Sequence, residues 1–177
     1  MQLYYQPGTR RILGFMAKML TILHEPDPFL RKTMDPVKNP TAPEIKKLID
    51  DMVFTMRKAN GIGLAATQVG YNGRVIVVET KDGALSFINP EITSRSDELE
   101  DGEEGCLSVP GTFGTVKRHR RISVRATSLI GQQHTYEAQG LFARVLQHEI
   151  DHLNGIVFID KVEVFSRNDL ATEGAAL

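Results

Sequence analysis

QHEIDHLNG, residues 147–155, sets His148 and His152 four positions apart, with Glu149 beside the first. Four residues slightly exceed one helical turn, so in a helix both imidazoles stand on one face. Leu141 and Val145 fall on the same stripe. Phe142, Leu146, Ile150 and Leu153 form a second stripe, about a third of a turn away. A helix that is apolar on two sides is buried between layers. The segment from about Gln139 to Leu153 therefore reads as a buried helix, one side toward the core and the other walling a site.

The rest of the chain supplies those layers. Thr41 and Glu44 read as a T-x-x-E capping box, with Pro43 in the first turn. Ile45, Leu48, Ile49, Met52, Val53 and Met56 continue as one helical stripe, and Asn60-Gly61 stops it. RVIVVET and ALSFINP read as strands, and RISVRATSL and QQHTYEA as a hairpin around Ile130-Gly131. DPFLRKTMDPVKNPTAPE reads as an extended lead-in and SRSDELEDGEEG as a polar, acidic loop. The pattern is α+β: mixed or antiparallel strands packed around a buried central helix that carries HExxH. The expected organisation is an N-terminal extension over 1–18, one catalytic domain over 19–165 and a loose tail over 166–177.

The bulk properties exclude several classes. The 177 residues are 41% hydrophobic and 24% charged, which fits a soluble globular chain. A net charge of −1 provides no field for nucleic acid or an anionic membrane. No apolar run approaches the roughly 18 to 20 residues needed to span a bilayer. One cysteine, Cys106, makes an internal disulfide impossible. Nothing repeats or coils, which disfavours a structural role. The compartment expected is the cytoplasm, or an organelle if residues 1–18 are a targeting remnant.

HEIDH matches H-E-x-x-H, which on a helix signals a metal. Two imidazoles need a third ligand. In metzincins the pattern continues through a glycine to a third histidine; Gly155 fits, but Phe158 occupies the histidine position. Glu173 lies at the distance of a thermolysin-type glutamate, in the unpromising tail ATEGAAL. His24 and His134 are further candidates, while His119 in KRHRR reads as solvated. Cys106, within EEGCLSVPG, is the best remaining choice. A thiolate and two neutral histidines leave a fourth position open, which distinguishes catalytic from structural sites.

GIGLAATQ at 61–68, EGCLS at 104–108 and QHEIDH at 147–152, in this order and spacing, resemble the three signature motifs of the peptide deformylases. The similarity runs from about Leu20 to about Lys161. It implies a metal-dependent hydrolase that removes the formyl group from N-terminal formylmethionine of new polypeptides. It also implies one divalent ion on Cys106, His148 and His152, with Fe(II) native and Zn, Ni or Co as substitutes. Hydroxide generated at the ion would attack the formyl carbon, with Glu149 as general base. Gln68 and the Leu107 N–H would stabilise the oxyanion. The Ile62 and Gly63 backbones would pair with substrate in strand fashion, and the bare Gly61 and Gly63 would let a peptide backbone lie close. By helical spacing Leu141, Arg144, Val145 and His148 would face the methionine pocket, with Ile62, Gly102 and Glu104 contributing from the loops; Gly105 is a further substrate-binding candidate.

Two of those residues have open roles. Glu104 either holds the loop or pairs with a basic residue such as Arg118. Many family members carry aliphatic residues where Gly102 and Arg144 stand. Arg144 either snorkels outward or sits at the rim, and a wider or more polar mouth is expected. The partners expected are formylmethionyl peptides and a transient ribosome contact, with the protein a monomer. A thiolate beside ferrous iron predicts an oxygen-sensitive iron form and sturdier zinc or nickel forms. The rival readings are an HExxH zinc endopeptidase and a catalytically silent peptide- or metal-binding module.

Overall fold

The computed structural model describes residues 17–166. Most of the expected extension and tail, 1–16 and 167–177, and with them Glu173, lie outside the described residues. Helix α1 spans Pro43–Lys58. Strands β1 (Gly63–Ala65), β2 (Val75–Thr80), β3 (Gly83–Arg95), β4 (Leu99–Cys106), β5 (Val109–His119), β6 (Arg121–Thr127) and β7 (Gln133–Gln139) follow. Helix α2, Gly140–Leu153, and strand β8, Val162–Phe165, complete the order. The strands form a five-stranded sheet, β1-β2-β3-β6-β7, and a three-stranded sheet, β4-β5-β8. Every pairing is antiparallel, so of the mixed or antiparallel arrangements expected the molecule uses the second.

The run VIVV in β2 shows why the helices lie where they do. Successive side chains on a strand point to opposite faces. Val75 and Val77 meet Ile45, Ile49, Met52 and Met56 of α1. Ile76 and Val78, with Phe87, Ile122 and Val124, meet Ala143, Leu146, Ile150 and Leu153 of α2. A continuous apolar strand is thus one covered on both sides. A third cluster, of Leu30, Val116, Val157 and Phe158, joins the smaller sheet to the chain after α2.

Several sequence expectations are corrected. The capping box is not formed: Ala42 is the N-cap and has no side-chain cap bond. The Thr41 hydroxyl instead donates to Asn39 Oδ1 at 2.9 Å. The lead-in contains a 3₁₀ turn at Pro28–Arg31, capped by Asp27, whose carboxylate accepts from the Phe29 amide at 2.8 Å. The acidic stretch read as a loop is mostly strand β4, and the unanticipated β5 is its partner. The register sets acids opposite bases, Glu100 against Arg118 and Asp101 against Lys117. The ion pairs that form across the ladder include Lys117 with Asp101 at 3.8 Å and Arg120 with Glu98 at 2.6 Å, while Arg118 turns inward to Glu104; opposite charges facing across strands favour the pairing.

Candidate metal centre

Among the described residues, Cys106, His148 and His152 form the group whose ligating atoms converge, all within 4.8 Å of one another. Helix α2 sets the two imidazoles edge to face, with ring centroids 5.1 Å apart. The end of β4 brings Cys106 Sγ to 3.2 Å from His152 Nε2. His152 is fully buried, and its Nδ1 has no hydrogen-bond partner among the described residues. The other sequence candidates are elsewhere. Phe158 is core, its ring stacked 6.0 Å from His148. His24 is exposed. His134 lies on β7 near Tyr136, with ring centroids 6.2 Å apart.

Glu104 organises the surroundings. Its Oε1 accepts from Arg118 Nε and Arg144 Nη1, each at 2.9 Å. Its Oε2 accepts from Arg118 Nη2 and His148 Nδ1, also at 2.9 Å. Those four bonds fill a carboxylate's acceptor capacity. Burial alone would raise its pKa, but the bonds from Arg118 and His148 hold it well below the usual carboxylate range. An ionised carboxylate cannot donate, so Nδ1 of His148 does, leaving Nε2 for an ion. Without an ion, burial opposes charge on His148, but Cys106 and Glu104 outweigh burial and raise its pKa to about 10. His152 stays neutral, its pKa driven well down by burial and by the neighbouring His148 charge. Two orientable imidazoles and a thiol whose ligating atoms converge fit a divalent ion.

A cleft of about 520 Å³ opens over this cluster. It is lined by Gly61, Ile62, Gly63, Gln68, Glu104, Gly105, Cys106, Leu107, Leu141, Arg144, Val145, His148 and Glu149. His152 and Gly102 are not among its lining residues. Glu149 is 4% exposed and its Oε2 has no partner among the described residues. Burial raises its pKa to about 7, against the pull of His148. Gly63 gives that carboxylate room: a Cβ there would lie 2.9 Å from Glu149 Cδ and from Val145 Cγ1. Gln68 is oriented by the Ala65 amide, which donates to its Oε1 at 2.8 Å. Its Nε2 then faces Cys106 Sγ at 3.5 Å and Ser108 Oγ at 3.2 Å. The lead-in strap holds both loops, through Leu23 N to Gln68 O at 2.8 Å and Glu25 N to Ser108 O at 2.9 Å.

KRHRR is not simply solvated. Arg118 is 4% exposed and also reaches Asp151, while His119 is half-buried with Nδ1 2.7 Å from Ser96 O. The alternation Gly114, Val116, Arg118 on one face of β5 is the signal that could have found it. Arg144 neither snorkels nor idles at the rim. Its Nη1 donates to Val116 O at 2.7 Å and its Nη2 to Glu100 O at 2.6 Å, tying α2 to the smaller sheet. Ser108, Pro110 and Phe113 are site neighbours that the sequence did not single out.

An α+β frame with a thiol, two imidazoles and a poised carboxylate beneath an open cleft defines a metal-dependent hydrolase. The family model described as polypeptide deformylase matches residues 19–168. A peptide deformylase of Cellvibrio japonicus is 46% identical over 158 residues, covering 88% of this chain and 93% of that one. The crystal structure of peptide deformylase from Thermotoga maritima superposes with a TM-score of 0.80 at 42% identity, covering 82% of this chain and 98% of that one. A Met-Ala-Ser-bound class I type b peptide deformylase from Acinetobacter baumannii does so at 0.79 and 36% identity, covering 83% and 100%. The chain belongs to the polypeptide deformylase family, enzymes that remove the formyl group from new polypeptides.

Proposed function

We propose that this protein deformylates N-formylmethionyl peptides at the cleft over Cys106, His148 and His152. The observation that carries the reading is the unpartnered Glu149 carboxylate in the same cleft as three converging ligand atoms. The HEIDH helix α2 is the central buried helix of the catalytic domain. Cys106, His148 and His152 would hold a divalent ion, and the chemistry it would supply when bound is a lowered pKa of water and polarisation of a carbonyl. Glu149, with a pKa of about 7, takes the proton from the attacking water and passes it to the departing amine. The Gln68 amide and the Leu107 N–H donate to the oxyanion as the formyl carbon becomes tetrahedral. The C–N bond then breaks, and formate and a free N-terminus leave.

Strand β1 lies at the edge of its sheet, with β2 on one side only, which supports the reading that the Ile62 and Gly63 backbones pair with the peptide as an added strand while Gly61 lets it lie close. Ile62, Leu141, Val145 and Arg144 receive the first side chain. The Acinetobacter relative's Met-Ala-Ser supports a peptide of that kind. The reading takes Fe(II) as the native ion, with Zn, Ni or Co as working substitutes. It also takes a monomer acting in the cytoplasm on chains leaving the ribosome; no helix among the described residues is long and apolar enough to cross a membrane. Anaerobic assay of formate release from formyl-Met-Ala-Ser, beside casein cleavage, tests it. Formate without casein cleavage is expected; casein cleavage without formate would establish an endopeptidase.

A further inference from the structure

We infer that Arg144 makes one wall of the first-residue pocket a hydrogen-bond donor, so that the protein deformylates peptides whose first side chain ends in a neutral acceptor oxygen, formylmethionine sulfoxide in particular. The inference rests on the deformylase reading and specifies its substrates. Arg144 lines the cleft beside Leu141 and Val145, and its side chain is 12% exposed. Gly102 admits it: a Cβ at residue 102 would lie 2.7 Å from Arg144 Cζ. The guanidinium is pinned through Nη1 to Glu104 Oε1 at 2.9 Å, Val116 O at 2.7 Å and Gly102 O at 3.3 Å, and through Nη2 to Glu100 O at 2.6 Å. A guanidinium carries five N–H donors, and Nε of Arg144 makes no hydrogen bond among the described residues. The group is held in place before substrate arrives, so little ordering cost remains to be met on binding.

The chemistry of the first side chain follows. A thioether is a weak acceptor, and oxidation to the sulfoxide makes it a polar group. An all-apolar pocket would reject that oxygen, because burying it unbonded is costly. A charged donor in the wall offsets the cost. A carboxylate is a different matter: Glu103, Glu104 and Glu149 also face the cleft, so a formyl-Glu peptide meets repulsion.

The test compares kcat/KM for formyl-Met(O)-Ala-Ser with that for formyl-norleucine-Ala-Ser, which matches methionine in length and lacks an acceptor. The wild type is expected to process the sulfoxide at least as efficiently as norleucine. In the Gly102→Ile/Arg144→Ile variant, and more mildly in Arg144→Lys, the ratio should fall by about tenfold or more, the worth of one charge-assisted hydrogen bond. An unchanged ratio, or a wild type that prefers norleucine by about tenfold, would overturn the inference. Calorimetric binding of the product tripeptides Met(O)-Ala-Ser and norleucine-Ala-Ser gives the ratio without turnover. Absence of formate from every peptide would sink the deformylase reading, and the calorimetric ratio would still judge Arg144.

Discussion

Glu104 is the residue on which most of the site turns, because its two oxygens accept from Arg118, Arg144 and His148 at once. It orients His148 and draws β4 and β5 onto α2. The proposed ligands are easy to see in the sequence. HEIDH carries its spacing on its face, and Cys106 is the one thiol in the chain. Arg118 is not, because its meaning depends on a partner 14 positions earlier and on Asp151, 33 positions later. At this scale Glu149→Ala should keep the ion and lower kcat by roughly 10²–10⁴, read from metal content and formate release on one preparation. Gly63→Ala should act on the same carboxylate from outside, since the added methyl would crowd Glu149 Cδ and Val145 Cγ1. A larger loss in kcat/KM than in thermal midpoint is expected; equal losses would mean Gly63 serves folding alone.

Among the elements, those with a strong period were legible and those held by a partner were not. Helix α2, the first helix stripe, β2 and the β6–β7 hairpin follow from 3.6- or 2-residue patterning. β4 was hidden because DELEDGEE reads as solvated charge; the basic partner β5 makes it a strand. Helix α1 is fastened at its middle and not through the capping box expected at its start. Asp51, 3% exposed, accepts from the Lys18 amide at 2.9 Å and Lys47 Nζ at 2.7 Å. Burial opposes its charge, but those two partners hold its pKa below the ordinary 3.8. A depressed folded pKa gives stability that is full above the unfolded value and lost as pH falls through the folded one. Asp51→Asn should therefore cost on the order of 1 kcal/mol near neutral pH. The gap to wild type should close at pH values below 3.8, as followed by urea unfolding. A gap that does not vary with pH would show that the charge is irrelevant there.

Across the whole molecule, one five-stranded sheet lies between α1 and α2, and a smaller sheet leans on α2 through buried charge instead of apolar surface alone. Arg118 is the link: it pairs with Glu104 on β4 and Asp151 on α2, and Asp151 also accepts from Lys161 Nζ at 2.7 Å. Removing one member of a buried ion network strands its partners. Arg118→Ala should lower stability by roughly 3–5 kcal/mol, read from the denaturant midpoint, and a loss within the noise of a surface substitution would refute the linking role. The layered arrangement was legible from the double stripe of α2, whereas this charged seam required three elements to be brought together.

The central claim is that one sulfur and two imidazoles share an ion. X-ray absorption on the zinc-loaded protein, with Cys106→Ser beside it, tests that claim directly. The expected spectrum has one sulfur at about 2.3 Å and nitrogen or oxygen neighbours at about 2.0–2.2 Å, with the sulfur shell absent in the variant. A wild-type spectrum of nitrogen and oxygen alone would contradict the account.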